Sequence, residues 1–102
     1  MKLKENYKVF ISDEAKLDLK QAAHYYQEQQ NGLGNRFLRS IYDCISLIKT
    51  QPKSFQIRYK NTRVGLPKKF PYLIIYDIIE NQKEIRIIAI LHSSQDPEKW
   101  RK

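Results

Sequence analysis

The sequence predicts an α+β domain of element order β-α-α-β-β-β, an antiparallel sheet with an N-terminal helical hairpin packed on one face. Three observations predict it. Two adjacent segments repeat apolar residues at helical spacing, the second half alternates or sustains apolar character as strands do, and the links between the two helices and before the last strand are short. The 102 residues suit one domain over positions 1–102, and 41% hydrophobic residues is enough for a single core.

Taken in order, Tyr7, Val9 and Ile11 alternate with Lys8, Phe10 and Ser12, a short strand with one apolar face. Ser12 then suits a helix N-cap, and Asp13 and Glu14 place negative charge against the N-terminal dipole. Ala15, Leu19, Ala22 and Tyr26 form the stripe of this helix, which ends near Gln30 because Asn31-Gly32 is a stop signal. Phe37, Ile41, Cys44, Ile45 and Ile48 form a second stripe, widened by Leu38 and ended by Pro52. Thr62, Val64 and Leu66 alternate with Arg63, Gly65 and Pro67. Tyr72 to Ile79 is almost continuously apolar, as in a central strand buried on both faces. The polar link 80–83 predicts a hairpin into a last strand over 85–92.

Charge is the chain's most uneven property. Lys and Arg total 19 against 11 Asp and Glu, a formal net charge of +8 that favours anionic partners. From Cys44 to Tyr76 there is no acid, yet Lys49, Lys53, Arg58, Lys60, Arg63, Lys68 and Lys69 fall there. The last five of these, Arg58, Lys60, Arg63, Lys68 and Lys69, are the candidate anion-binding or target-binding residues. Cys44 is the only cysteine, so no intramolecular disulfide forms, and its place on an apolar stripe predicts a buried, inert thiol. No metal-ligand pattern is present, and no cofactor is expected. There is no apolar run of about 18 residues and no signal-peptide pattern, so the expected location is the cytoplasm, with no membrane role.

Strict alternation sends Ile85, Ile87, Ala89 and Leu91 of the last strand toward the helices, and Arg86, Ile88, Ile90 and His92 to the other side. Arg63, pointing opposite to Val64, is expected to share that second face, with Lys68 and Lys69 at its edge. A His beside a phosphodiester acts as general acid or base while Arg and Lys stabilise developing charge. Without a metal, such a nuclease uses the RNA 2′-OH as nucleophile. The same cations equally suit a face that binds without catalysing.

Several stretches carry a family resemblance: YKVFISDEAKLDLKQAAHYY at 7–26, LGNRFLRSIYDCISLI at 33–48, Pro52, RYKNTRVGLPKKFPYLIIY at 58–76 and AILHSSQDPEKW at 89–100. In this order and length they resemble the RelE/ParE superfamily of toxins from bacterial type II toxin–antitoxin pairs. The likeness spans nearly the whole chain and leans to the ParE branch. It implies a growth-inhibiting toxin of the plasmid-stabilisation type, neutralised by a cognate acidic antitoxin that folds on binding. A ParE-like member poisons DNA gyrase and needs no nuclease site. A RelE-like member cleaves mRNA on the ribosome, with Arg63, Arg86 and His92 as the catalytic candidates. A degenerate member only binds its antitoxin. Two positions depart from the nuclease pattern: Gln95 stands where many relatives carry Arg, and the C-terminal tail has no Tyr.

Overall fold

The computed structural model describes residues 7–95 and has the expected α+β plan, with one strand more than the apolar pattern predicts. The elements are β1 (Lys8–Ile11), α1 (Asp13–Gln29), α2 (Leu33–Thr50), a 3-10 turn (Pro52–Ser54), β2 (Gln56–Tyr59), β3 (Thr62–Gly65), β4 (Tyr72–Ile79), a second 3-10 turn (Glu80–Gln82) and β5 (Glu84–His92). They form one five-stranded sheet of order β1-β5-β4-β3-β2. Neighbours run antiparallel except β1, which pairs with β5 in parallel, Val9 opposite Ile85 and Ile11 opposite Ile87. The end of the 89–100 stretch, from Asp96 to Trp100, lies outside the described residues.

The helical hairpin is built from its own side chains. The Ser12 hydroxyl accepts from the Ala15 N–H at 3.0 Å and starts α1. No side chain at the start of α2 caps it. Instead Gln27 of α1 reaches over, its Oε1 accepting from the Gly32 and Gly34 N–H groups at 3.1 and 3.2 Å. Gly32 holds φ at 91°, and a Cβ on Gly34 would lie 2.7 Å from the Ala23 carbonyl oxygen, so both positions need glycine. Gly65 plays a similar part in β3, where an added Cβ would lie 2.9 Å from Ile48 and 3.1 Å from the Cys44 sulfur. Helix α2 therefore lies directly across β3.

Between helices and sheet is the main core, with Phe37, Ile41, Ile48, Ile74, Tyr76, Ile85 and Ile87 fully buried. A smaller cluster of Val64, Leu73, Ile75 and Ala89 occupies the other sheet face, as a strand buried on both sides requires. Cys44 is buried, and desolvation raises its thiol pKa to about 11, which agrees with an inert thiol.

The strict alternation expected in β5 does not hold. Ile75 pairs with Ala89 but Tyr76 pairs with Ile87, so Ile88 is an extra residue, a β-bulge. Beyond it the pleat reverses. Ile85, Ile87 and Ile90 enter the helix-side core, whereas Ala89 and Leu91 join the far face together with Ile88. Ile90, expected in the open, is 2% exposed. The bulge sits where β1 ends and the outer edge of β5 is left unpaired. Ser12 and Asp18 fill that gap: the Ser12 hydroxyl donates to the Ile88 carbonyl at 2.9 Å, and Asp18 Oδ2 accepts from the Ile90 N–H at 3.1 Å.

Candidate functional site

The basic run that dominates the sequence is divided by the fold. Arg58 and Lys60 stand at the β2–β3 hairpin, where Lys60 takes a left-handed φ of 49°. Lys68 and Lys69 stand in the β3–β4 loop, beyond the other end of β3. Four strand residues separate the pairs, about 13 Å at the usual rise. The Ser40 hydroxyl on α2 donates to the Lys68 carbonyl and ties that loop to the helices.

Arg63 is turned inward. Opposite Tyr76 in the register, it faces the helix side, and its Nη1 donates to the Lys53 and Phe55 carbonyls at 3.1 and 2.6 Å. The Tyr76 hydroxyl donates to the Pro52 carbonyl at 2.7 Å, and burial holds its pKa above the usual phenol range, so it stays a donor. The two side chains clasp the segment joining α2 to β2. Arg86, by contrast, is exposed on the far face, opposite Asp77 in the register and 3.2 Å from the Glu84 carboxylate.

His92 pairs with Tyr72, and the rings meet edge to face at 5.3 Å. Because the bulge reverses the pleat, His92 therefore lies on the helix side and not with Arg86. Its Nδ1 accepts from the Ser94 N–H at 3.0 Å and sits 2.8 Å from the Ser94 hydroxyl, so the neutral ring carries its proton on Nε2. Its backbone N–H donates to Gln95 Oε1 at 2.8 Å. The expected assembly of Arg63, Arg86 and His92 on one face is thus corrected. Arg86 is across the sheet from the other two, and Arg63 and His92 are opposite Tyr76 and Tyr72, the middle and the first residue of β4. Of the five anion-site candidates, Lys68 and Lys69 share the His92 end of the sheet.

At that end a cleft of about 250 Å³ opens between α1 and the sheet, lined by Asp18, Gln21 and Tyr25 of α1, Tyr72 and Ile90, and Gln95. Its aromatic wall is continuous with the core. Tyr26 lies 5.3 Å from Tyr25, 5.0 Å from Phe70 and 6.1 Å from Tyr72, and Phe37 lies 4.9 Å from Tyr72. Burial, reinforced by the neighbouring Tyr26, raises the Tyr72 hydroxyl to about 12. Desolvation likewise raises Asp18 above its ordinary value, with the Ile90 N–H opposing and Glu14 adding a smaller upward push. Among the described residues no cluster of His, Cys, Asp or Glu has the makings of a metal site, and no helix is long and apolar enough to cross a membrane.

The cleft was not anticipated from sequence. Its one legible signal is the acid at 18, set between Leu17 and Leu19 and three residues from each of Ala15 and Gln21 beside the buried stripe. Tyr72 and Gln95 come to it only through strand order and the turn after β5.

The family described as ParE toxin of type II toxin–antitoxin system, parDE, matches residues 9–97. No curated protein matches the chain. Among solved structures, the chain is similar to one from the chromosomal ParDE toxin–antitoxin system of P. aeruginosa, at 15% identity and TM-score 0.66, over 84% of this chain and 95% of that one. It is also similar to one from the RelBE2 toxin–antitoxin complex of Mycobacterium tuberculosis, at 14% identity and TM-score 0.61, over 86% and 99%. A third, from the archaeal RelE–RelB complex of Pyrococcus horikoshii OT3, has 16% identity and TM-score 0.55 over 90% and 100%. At these identities the structural likeness establishes the shared fold, and with the family match over residues 9–97 it follows that the chain belongs to the ParE toxin family of type II toxin–antitoxin systems.

Proposed function

We propose that the chain is a growth-inhibiting toxin of the ParE kind that acts by binding DNA gyrase, without nuclease chemistry, and that a cognate antitoxin neutralises it. The observation that carries the reading is the dispersal of the RelE-like catalytic candidates. Arg63 donates to two backbone carbonyls, Arg86 is paired with Glu84 on the far face, and His92 has its Nδ1 engaged by Ser94. Cations held in this way do not converge on one phosphodiester. The solved neighbours from toxin–antitoxin complexes support an antitoxin partner. An acidic segment that folds on contact suits the +8 charge.

A second reading, the ribosome-dependent endonuclease, is favoured by one arrangement only: His92 and the Lys68–Lys69 loop share one end of the sheet. One experiment separates the two. The purified chain is added in parallel to a gyrase supercoiling assay and to a cell-free translation reaction whose message ends are mapped by primer extension. Blocked supercoiling with intact message is the expected result. Ribosome-dependent cuts within codons overturn it in favour of the nuclease. Inactivity in both assays leaves a toxin that only binds its antitoxin.

A further inference from the structure

We propose that the cleft between α1 and the open end of the sheet receives the guanidinium of an arginine side chain presented by a protein partner, with Asp18 as its counter-ion. This is independent of whether gyrase or the ribosome is the target.

Asp18 is an exception in a chain of net charge +8. It is half-buried, and among the described residues no Lys, Arg or His pairs with it. Oδ2 accepts from the Ile90 N–H, and Oδ1 has no partner among the described residues. Holding a backbone N–H requires only a neutral acceptor, which Asn or Ser supplies at no ionic desolvation. A carboxylate at this position is therefore more than the fold requires. Its raised pKa expresses the same point: an incoming cation would relieve the desolvation that burial imposes.

The surroundings select the kind of cation. Tyr25, 57% exposed with its ring held edge-on against Tyr26, and Tyr72, anchored to Phe37, place two aromatic side chains beside the carboxylate. The amides of Gln21 and Gln95 complete the lining with neutral hydrogen-bonding groups. A flat cation that stacks on tyrosine and donates to a carboxylate in one plane fits this combination better than a compact, strongly hydrated ammonium. The walls rest on the aromatic core, so the site is formed before anything enters it.

The test is a titration of the isotope-labelled full chain with Nα-acetyl-arginine methylamide, followed by amide NMR shifts. The Ile90 amide is the diagnostic probe because it is bonded to Asp18. A saturable shift at Ile90 and Tyr25 is expected, with no matching response to the uncharged citrulline analogue. Asp18→Asn, which keeps an acceptor for Ile90, should weaken binding about tenfold or more, the scale of one lost charge-assisted contact. Tyr25→Ala, at an exposed position, should weaken it several-fold while leaving the remaining spectrum in place. A lysine analogue that binds equally well removes the guanidinium preference. No saturable shift, an equal response to citrulline, or unchanged binding by Asp18→Asn overturns the proposal.

Discussion

The two ends of β3 make an instructive contrast. At the hairpin end, Arg58 extends from an edge strand whose four residues are all exposed, and Lys60 follows it in the turn with its ammonium 5.6 Å from the centre of the Tyr59 ring. At the other end, Tyr72, His92 and Asp18 stand on an interlocked set of rings and backbone bonds that continues into the core. The first region has charge with little architecture, and the second sets the Lys68–Lys69 loop and the Asp18 carboxylate beside a built framework. Steering of an anionic target requires only the first, whereas shape-specific recognition requires the second.

That contrast can be broken experimentally, and the largest effect should come from the ring cluster. Phe37 is fully buried beneath Tyr26, Phe70 and Tyr72, so Phe37→Ala should cost about 3–5 kcal/mol in a urea melt. A loss under 1 kcal/mol would mean that the cleft wall is not anchored in the core. Arg63→Ala comes next. Removing its bonds to the Lys53 and Phe55 carbonyls should cost about 1–3 kcal/mol, whereas Arg58→Ala should stay within about 0.5 kcal/mol of the parent. Equal melts for the two variants would return Arg63 to the pool of surface cations.

Asp18 supplies a pH test. Its folded-state pKa is raised above the ordinary 3.8, so the folded chain binds the proton more tightly than the unfolded chain. Its contribution to stability is therefore lost as pH rises from that ordinary value through the raised one. Asp18→Asn should remove that part of the pH dependence and hold or raise the melting temperature at neutral pH. A variant that melts lower at pH 7 would make the carboxylate a structural requirement. The smallest effect belongs to the hairpin end, where Lys60 holds φ 49° in the turn. Lys60→Gly relieves the left-handed conformation but adds freedom to the unfolded chain, so the net gain should be at most about 1 kcal/mol.

The elements that bury one face or both were legible in sequence. The stripes of α1 and α2 and the apolar run of β4 state their partners through spacing alone. β2 was not legible, because QIRY alternates polar and apolar residues over only four positions, and all four stay exposed at the sheet edge. The bulge at Ile88 was hidden for a different reason: an apolar residue fits either side of a strand between two apolar clusters. Every side chain beyond it was therefore assigned to the wrong face, His92 included. The cleft escaped because it is assembled from α1, β4 and the turn after β5, whose adjacency follows from strand order and not from any local motif.

The parallel pairing of β1 with β5 also sets a clock. Ser12, at the exit of β1, meets the Ile88 carbonyl across a sequence separation of 76 residues. At about 5–20 residues per second, the first strand waits roughly 4–15 s during synthesis for the strand that holds it. Until then β4 lacks its longest neighbour and the outer edge of the sheet does not exist. A ribosome carrying this chain thus bears an unfinished sheet until β5 has been made, and β1 gains its partner only then.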